Sequence, residues 1–317
     1  MGLIVRRAHA LSDWGIALSA GGVLGEAELR LEQALALVRD AGDVAGQIPP
    51  LYSLGSVLLA RSDFQGADAM AAEAARLSER LGNSHLLSRA LMERARVAVS
   101  TGDRQAAHDL LAESRACDGD VHADLRSPLL ACQAALALLD GHPVDALELA
   151  AEAVELARAV DDRLDCVVAV LYRSLAEEEL GQTTEAEAGF REVIEIEREM
   201  GAAPGRAWDA RAGLVRVLHH RGQTNAALEV AQPIVTHLMA QDAGRVEHGL
   251  GSCEQPLRVH LSVARALMAV GDDRADAVVE VASTLLTGWA ASFDEPHRRQ
   301  QLLQIPYHHE IVQMSQA

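Results

Sequence analysis

Every one of the 28 basic side chains in this 317-residue sequence is an arginine; lysine is absent. A guanidinium can grip a carboxylate through two parallel N–H bonds. The missing lysines exclude other chemistries. A P-loop has no side chain to reach the β/γ-phosphates. A Schiff-base or pyridoxal-phosphate enzyme has no amine, and the strand lysine of protein kinases is absent. The histidines offer two adjacent pairs, His219-His220 and His308-His309. Neighbours on a helix point their rings in different directions, whereas helical metal pairs use i, i+4 spacing. These pairs therefore read as structural or surface histidines. Asp118-Gly-Asp120-Val-His-Ala-Asp124 alternates carboxylates but lacks the central glycine and distal glutamate of a calcium loop, and reads as a solvated turn. The four cysteines, Cys117, Cys132, Cys166 and Cys253, form no C-x-x-C pair, and no G-x-S-x-G or G-x-G-x-x-G motif is present. No catalytic centre, metal or cofactor is expected.

The bulk composition narrows the partners. With 46 acidic residues the net charge is -18, which disfavours direct binding to nucleic acid. No apolar run approaches the roughly 18 residues of a membrane span, and Leu3-Ile4-Val5 is too short for a secretory signal. Scattered thiols and the missing signal give a cytoplasmic expectation, and the lysine-free, alanine- and arginine-rich composition points to a GC-rich bacterial genome. Hydrophobic residues make up 49% but aromatics only 3%, so alanine, leucine and valine must build the core.

What positions these side chains is a repeat. An alanine follows a Gly-containing turn at Ala27, Ala67, Ala107, Ala146, Ala186, Ala227 and Ala277, so the spacing stays near 40 residues until the last interval. Glu28 to Arg39, Asp68 to Arg80, Leu147 to Arg158 and Glu187 to Glu199 carry apolar residues at helical spacing, and a second helical pattern precedes each turn. Twelve positions before the marker alanine stands a small residue: Gly15, Gly55, Ala95, Ala134, Ser174. Two antiparallel helices can approach closely only where both present small side chains. The longer last interval contains a Gly-rich insertion at 241–256, read either as a functional or hinge loop or as an ordinary connection.

Leu51, Leu54-Gly55, Leu58 and Ala67 resemble the tetratricopeptide repeat pattern, as do Leu11, Trp14-Gly15, Leu18 and Ala27. The longer period is similar to the repeats of sensor regions in large bacterial signalling ATPases and LuxR-type regulators. The resemblance implies an all-α, right-handed superhelical α-solenoid of about seven helix-turn-helix repeats over residues 1–290. A C-terminal capping segment at 291–317 would follow. The family's groove positions fall on Tyr52, Arg89, Arg96, Tyr172, Arg216, His219, Arg258 and Arg265, with the acidic excess mainly on the second, outer helices. The expected function is non-catalytic: a regulatory or scaffold module binding a protein or peptide, such as an acidic or carboxylate-bearing segment. Alternatives are a ligand sensor that changes superhelical shape on binding a peptide or small molecule, or an enzyme with its site in the groove. The arginines can equally pair with neighbouring glutamates on solvated faces. Trp289, Phe293, Leu302, Leu303, Ile305 and Tyr307 can either cap the solenoid or join two copies; capping is expected, because the last repeat has no successor to cover its apolar face.

Overall fold

A computed structural model describes residues 2–117, 123–201, 205–240 and 249–316. Among these residues there are sixteen α-helices and no strand. Fourteen form seven antiparallel pairs: α1 (Gly2–Ala20) with α2 (Leu24–Asp40), α3 (Val44–Ala60) with α4 (Phe64–Arg80), and α5 (Ser84–Thr101) with α6 (Arg104–Cys117). Then come α7 (Ala123–Leu139) with α8 (Pro143–Ala159), α9 (Arg163–Glu179) with α10 (Thr183–Met200), α11 (Gly205–His220) with α12 (Thr224–Met239), and α13 (Pro256–Met268) with α14 (Arg274–Ser292). Two short helices, α15 (Pro296–Leu303) and α16 (Pro306–Met314), complete the chain. Each odd-numbered helix from α1 to α13 packs on the next odd-numbered one. They form the inner row of an α-solenoid, with the even-numbered helices outside. Most of the Asp118–Asp124 stretch and residues 241–248 of the Gly-rich insertion lie outside the described residues.

Local chemistry ends and restarts each helix. The Asp43, Asp63 and Asp162 carboxylates and the Asn83 amide each accept the backbone N–H three residues on, at 2.9–3.0 Å. A cap of this kind contributes about 1 kcal/mol. These caps start α3, α4, α5 and α9 directly after the preceding turn. The marker alanines Ala27, Ala67, Ala107, Ala146, Ala186 and Ala227 are fully buried. Opposite Ala67, a Cβ added to Gly55 would lie 3.1 Å from the Ala67 carbonyl oxygen, which is why that crossing takes no side chain.

The seventh pair shifts by one place. Ala277 is exposed and Val278 is buried instead. Val278, Ala282, Leu285, Leu286 and Trp289 reproduce the spacing of Ala27, Leu31, Ala34, Leu35 and Val38. The cause is local: Asp272 and Asp273 both stand between Gly271 and α14, where the α11–α12 turn has only Gln223 after Gly222.

The C-terminal helices do more than cover a last repeat. α16 packs on α13 and α14, and α15 packs on α14 and reaches α5. Phe64, the first residue of α4, meets Trp289 edge-to-face at 5.4 Å and stacks on Phe293 at 6.1 Å between centroids. The Gln65 side-chain amide donates to the Ser292 carbonyl. A Cβ on Gly102 would lie 2.7 Å from the Gln301 carbonyl oxygen. Phe64, Trp289, Phe293, Leu302, Ile305 and Ile311 share one core cluster. The end of the solenoid therefore rests on its second and third repeats, where Trp289, Phe293, Leu302 and Ile305 are buried and Leu303 and Tyr307 partly so.

Candidate functional site

That closure leaves a cavity of about 420 Å³ on the inner face. Its walls come from residues far apart in sequence: Tyr52 and Ser56 on α3, Arg89, Met92, Glu93 and Arg96 on α5, and Asp124 and Cys132 on α7. Asp165 and Tyr172 on α9, Arg206 on α11, Ser252 to Glu254 before α13, Trp289 on α14, and Tyr307 and His308 on α16 complete it.

The charges inside are mixed rather than purely basic. Arg96 bonds Glu93 at 3.1 Å and the Ser56 hydroxyl at 3.2 Å, and lies 3.8 Å from Glu254. The Glu93 carboxylate raises its pKa, and this attraction outweighs the cost of burying the guanidinium. Arg206 reaches the same Glu254 at 3.3 Å, and the Tyr172 hydroxyl donates to Glu254 at 3.2 Å. Arg89 differs. Its guanidinium lies over the Tyr52 ring at 4.9 Å, its Nε is buried without a hydrogen-bond partner, and no ion pair ties it to a described residue. Burial, helped by the neighbouring Asp162, pushes Asp165 up to about 6. Burial likewise pushes the Cys132 thiol up to about 12, so it carries little thiolate near neutrality.

Of the eight groove residues expected from the sequence, the cavity gathers Tyr52, Arg89, Arg96 and Tyr172. The other four lie outside its lining. Arg216 forms two bonds of 2.6 Å to Glu178 and a third to the Ser262 hydroxyl at 2.9 Å. Arg258 bonds Glu179 at 2.7 Å, and Arg265 holds Glu310 of α16 at 2.6 and 2.8 Å. His219 is exposed. Inner helices also carry carboxylates: Glu93 and Glu178 counter the charges of Arg96 and Arg216, as a guanidinium taken out of water requires, while Asp209 accepts backbone N–H groups. Sequence reasoning did not place Glu254, Arg206, Asp165, Trp289 or His308 at the groove, although it named Trp289 as a capping residue and His308 as a structural or surface histidine. His308 is buried, and its Nδ1 lies 2.8 Å from the Leu302 carbonyl oxygen. No cluster of three metal-ligating side chains occurs among the described residues, and no disulfide joins any two of the four cysteines. No described helix is long and apolar enough to cross a membrane.

No protein-family model matches the sequence, and no curated protein matches it. The fold recurs among solved structures. A signal transduction ATPase with numerous domains (STAND) protein with a tetratricopeptide repeat sensor, from Pyrococcus horikoshii, superposes with a TM-score of 0.60 at 10% identity, covering 98% of this chain and 47% of its own. The chain has the tetratricopeptide-repeat fold. A Rap protein complexed with competence and sporulation factor matches this repeat solenoid over nearly its whole length, with a TM-score of 0.53, 14% identity and coverage of 98% and 97%. BtubC (BKLC) from P. vanneervenii gives 0.52 at 16% identity, covering 74% of this solenoid and 94% of its own chain.

Proposed function

We propose that this tetratricopeptide-type solenoid is a non-catalytic binding protein that holds a short peptide, or an extended segment of a partner protein, in the inner cavity. The observation that carries this reading is Arg89, a guanidinium stacked on Tyr52 whose charge is felt by Asp124 and Asp165 but which forms no ion pair with a described residue, facing a cavity of ligand size. It is the arginine available to a carboxylate on the ligand. The volume of about 420 Å³ suits a few residues rather than a long helix. The similarity to a Rap protein crystallised in complex with competence and sporulation factor supports a solenoid that binds a ligand. A regulatory role in a bacterial cytoplasm fits this reading.

A pool of fluorescein-labelled pentapeptides with free C-termini tests it by polarisation. The Tyr52→Ala/Arg89→Ala double variant should bind at least about tenfold more weakly, the loss expected for a charge-assisted bond and its stacking support. Circular dichroism should be unchanged. Equal binding by wild type and variant would remove the cavity from the site.

One observation favours the sensor version of this function. Trp289 lines the cavity and also belongs to the closing contact between the C-terminal helices and the early repeats, and His308 lines the cavity and packs on Trp289. An occupant touching them biases closure, which makes superhelical shape the output.

A further inference from the structure

The segment that interrupts the repeat period enters the cavity. Its described part begins at Gly249, and Leu250 is buried beside Trp208 in the core of the sixth and seventh pairs. Asp209 of α11 fixes the next few residues: its carboxylate accepts the backbone N–H groups of Glu254 at 2.7 Å and Gln255 at 2.9 Å, with the Cys253 thiol at 3.1 Å. With the backbone held there, the Glu254 side chain projects among three inner helices. One oxygen lies 3.3 Å from an Arg206 nitrogen and 3.8 Å from an Arg96 nitrogen, and the other accepts the Tyr172 hydroxyl.

Two guanidinium groups and a phenol converging on one carboxylate, from α5, α9 and α11, is the geometry of an anion site. The donors do not need Glu254 equally. Arg96 already has Glu93 at 3.1 Å, whereas Arg206 has Glu254 as its only ion-pair partner among the described residues and keeps a buried Nε with no hydrogen-bond partner. Nor is Glu254 an inner-helix residue holding the next repeat, as Glu178 is for Arg216. It arrives from the irregular segment before α13.

We propose that Arg96, Arg206 and Tyr172 form a carboxylate-binding site that the chain fills with its own Glu254, and that a carboxylate of the ligand enters by displacing Glu254. The displacement step rests on the reading that the cavity holds a carboxylate-bearing peptide; the carboxylate site itself does not. Asp209 sets the strength of the plug, because it anchors the backbone on either side of the displaced side chain. Binding therefore weakens by whatever the Glu254 contacts contribute, and removing Glu254 strengthens it.

Chemical rescue in the full-length chain tests the site without the natural ligand. In Glu254→Ala the missing carboxylate is supplied as sodium propionate at constant ionic strength, with propionamide as the neutral control. The thermal midpoint of the variant should rise saturably, by a few degrees, with propionate and not with propionamide. Wild type should show no saturable rise. Glu254→Gln, which keeps the side chain's bulk, covers the case in which the alanine variant does not fold; its midpoint should rise by a smaller amount. If propionate acts on wild type and the folded variants alike, the site does not exist as described. A propionate effect absent in the variants while the pentapeptides still bind Tyr52 and Arg89 discards the plug alone. Loss of the pentapeptide result with rescue intact discards the peptide reading alone.

Discussion

Replacing Phe64 with alanine should open the solenoid without unfolding it. The ring is 4% exposed and bridges Trp289 and Phe293, residues of α14 and of the turn after it. Removing a buried phenylalanine costs about 3–5 kcal/mol, of which each aromatic contact accounts for about 0.5–1.5 kcal/mol. In a repeat solenoid most stability resides in each pair and its neighbour interfaces. The Phe64 contacts are of another kind, since they join the second pair to the seventh. Their loss thus falls on the closing equilibrium, and about 3 kcal/mol raises the open population roughly 100-fold. Amide hydrogen exchange measured by mass spectrometry reads this directly. Exchange should accelerate in α15 and α16 and stay near wild type in α9 and α10, while small-angle scattering reports a larger radius of gyration. If α9 and α10 accelerate as much as α15 and α16, closure and repeat folding are one cooperative unit and the reasoning fails.

Buried groups give two further outcomes. His260 and His308 are buried and neutral, and desolvation lowers each to about 4 from 6.5. The unfolded chain therefore takes up protons between those values that the folded chain refuses, so stability falls as pH drops through 6.5 and levels off below about 4. Each histidine accounts for about 2 kcal/mol of loss at pH 5. Thermal midpoints from pH 7 to 5 should fall more steeply in wild type than in His308→Asn, and parallel curves would show that His308 does not titrate as stated. Gly213→Ala places a methyl within 2.3–2.6 Å of the fully buried Phe190 ring. Overpacking of this kind costs about 1–3 kcal/mol, seen as a lower urea midpoint; Phe190→Leu in the same chain should recover part of it, and an unchanged midpoint for Gly213→Ala alone would refute the contact.

The solenoid was legible because its contacts recur. A helix crossing that admits only a small residue writes itself into the sequence every 40 positions, as at Gly55 against Ala67. The one slipped marker, Ala277 for Val278, came from a turn lengthened by Asp272 and Asp273, which changes helical phase without changing composition. The arginines were harder. Arg89, Arg96, Arg216 and Arg258 all sit on inner helices, and no residue type separates the paired from the unpaired. A signal was nevertheless present. Glu178 stands 38 positions before Arg216, and Glu73 stands 34 after Arg39; both are about one repeat away and both are bonded. Arg89 has Asp124 35 positions on, but that carboxylate is taken by His85. Pairing charges at the repeat period would have set Arg216 aside, but it would also have given Asp124 to Arg89; only the structure shows that carboxylate bonded to His85 instead.

What no local pattern carries is closure. Glu254 reaches Arg96 of α5 and Trp289 reaches Phe64 of α4 because small rotations between successive pairs accumulate along the solenoid until its end meets the second and third pairs. That sum depends on every interface at once, so no single repeat encodes it. The same dependence makes the cavity responsive. Under the proposed function, a ligand held between Arg89 on α5 and Trp289 on α14 would contact both sides of the joint between the C-terminal helices and the early pairs, so that binding energy would go into superhelical shape rather than into the stability of one repeat.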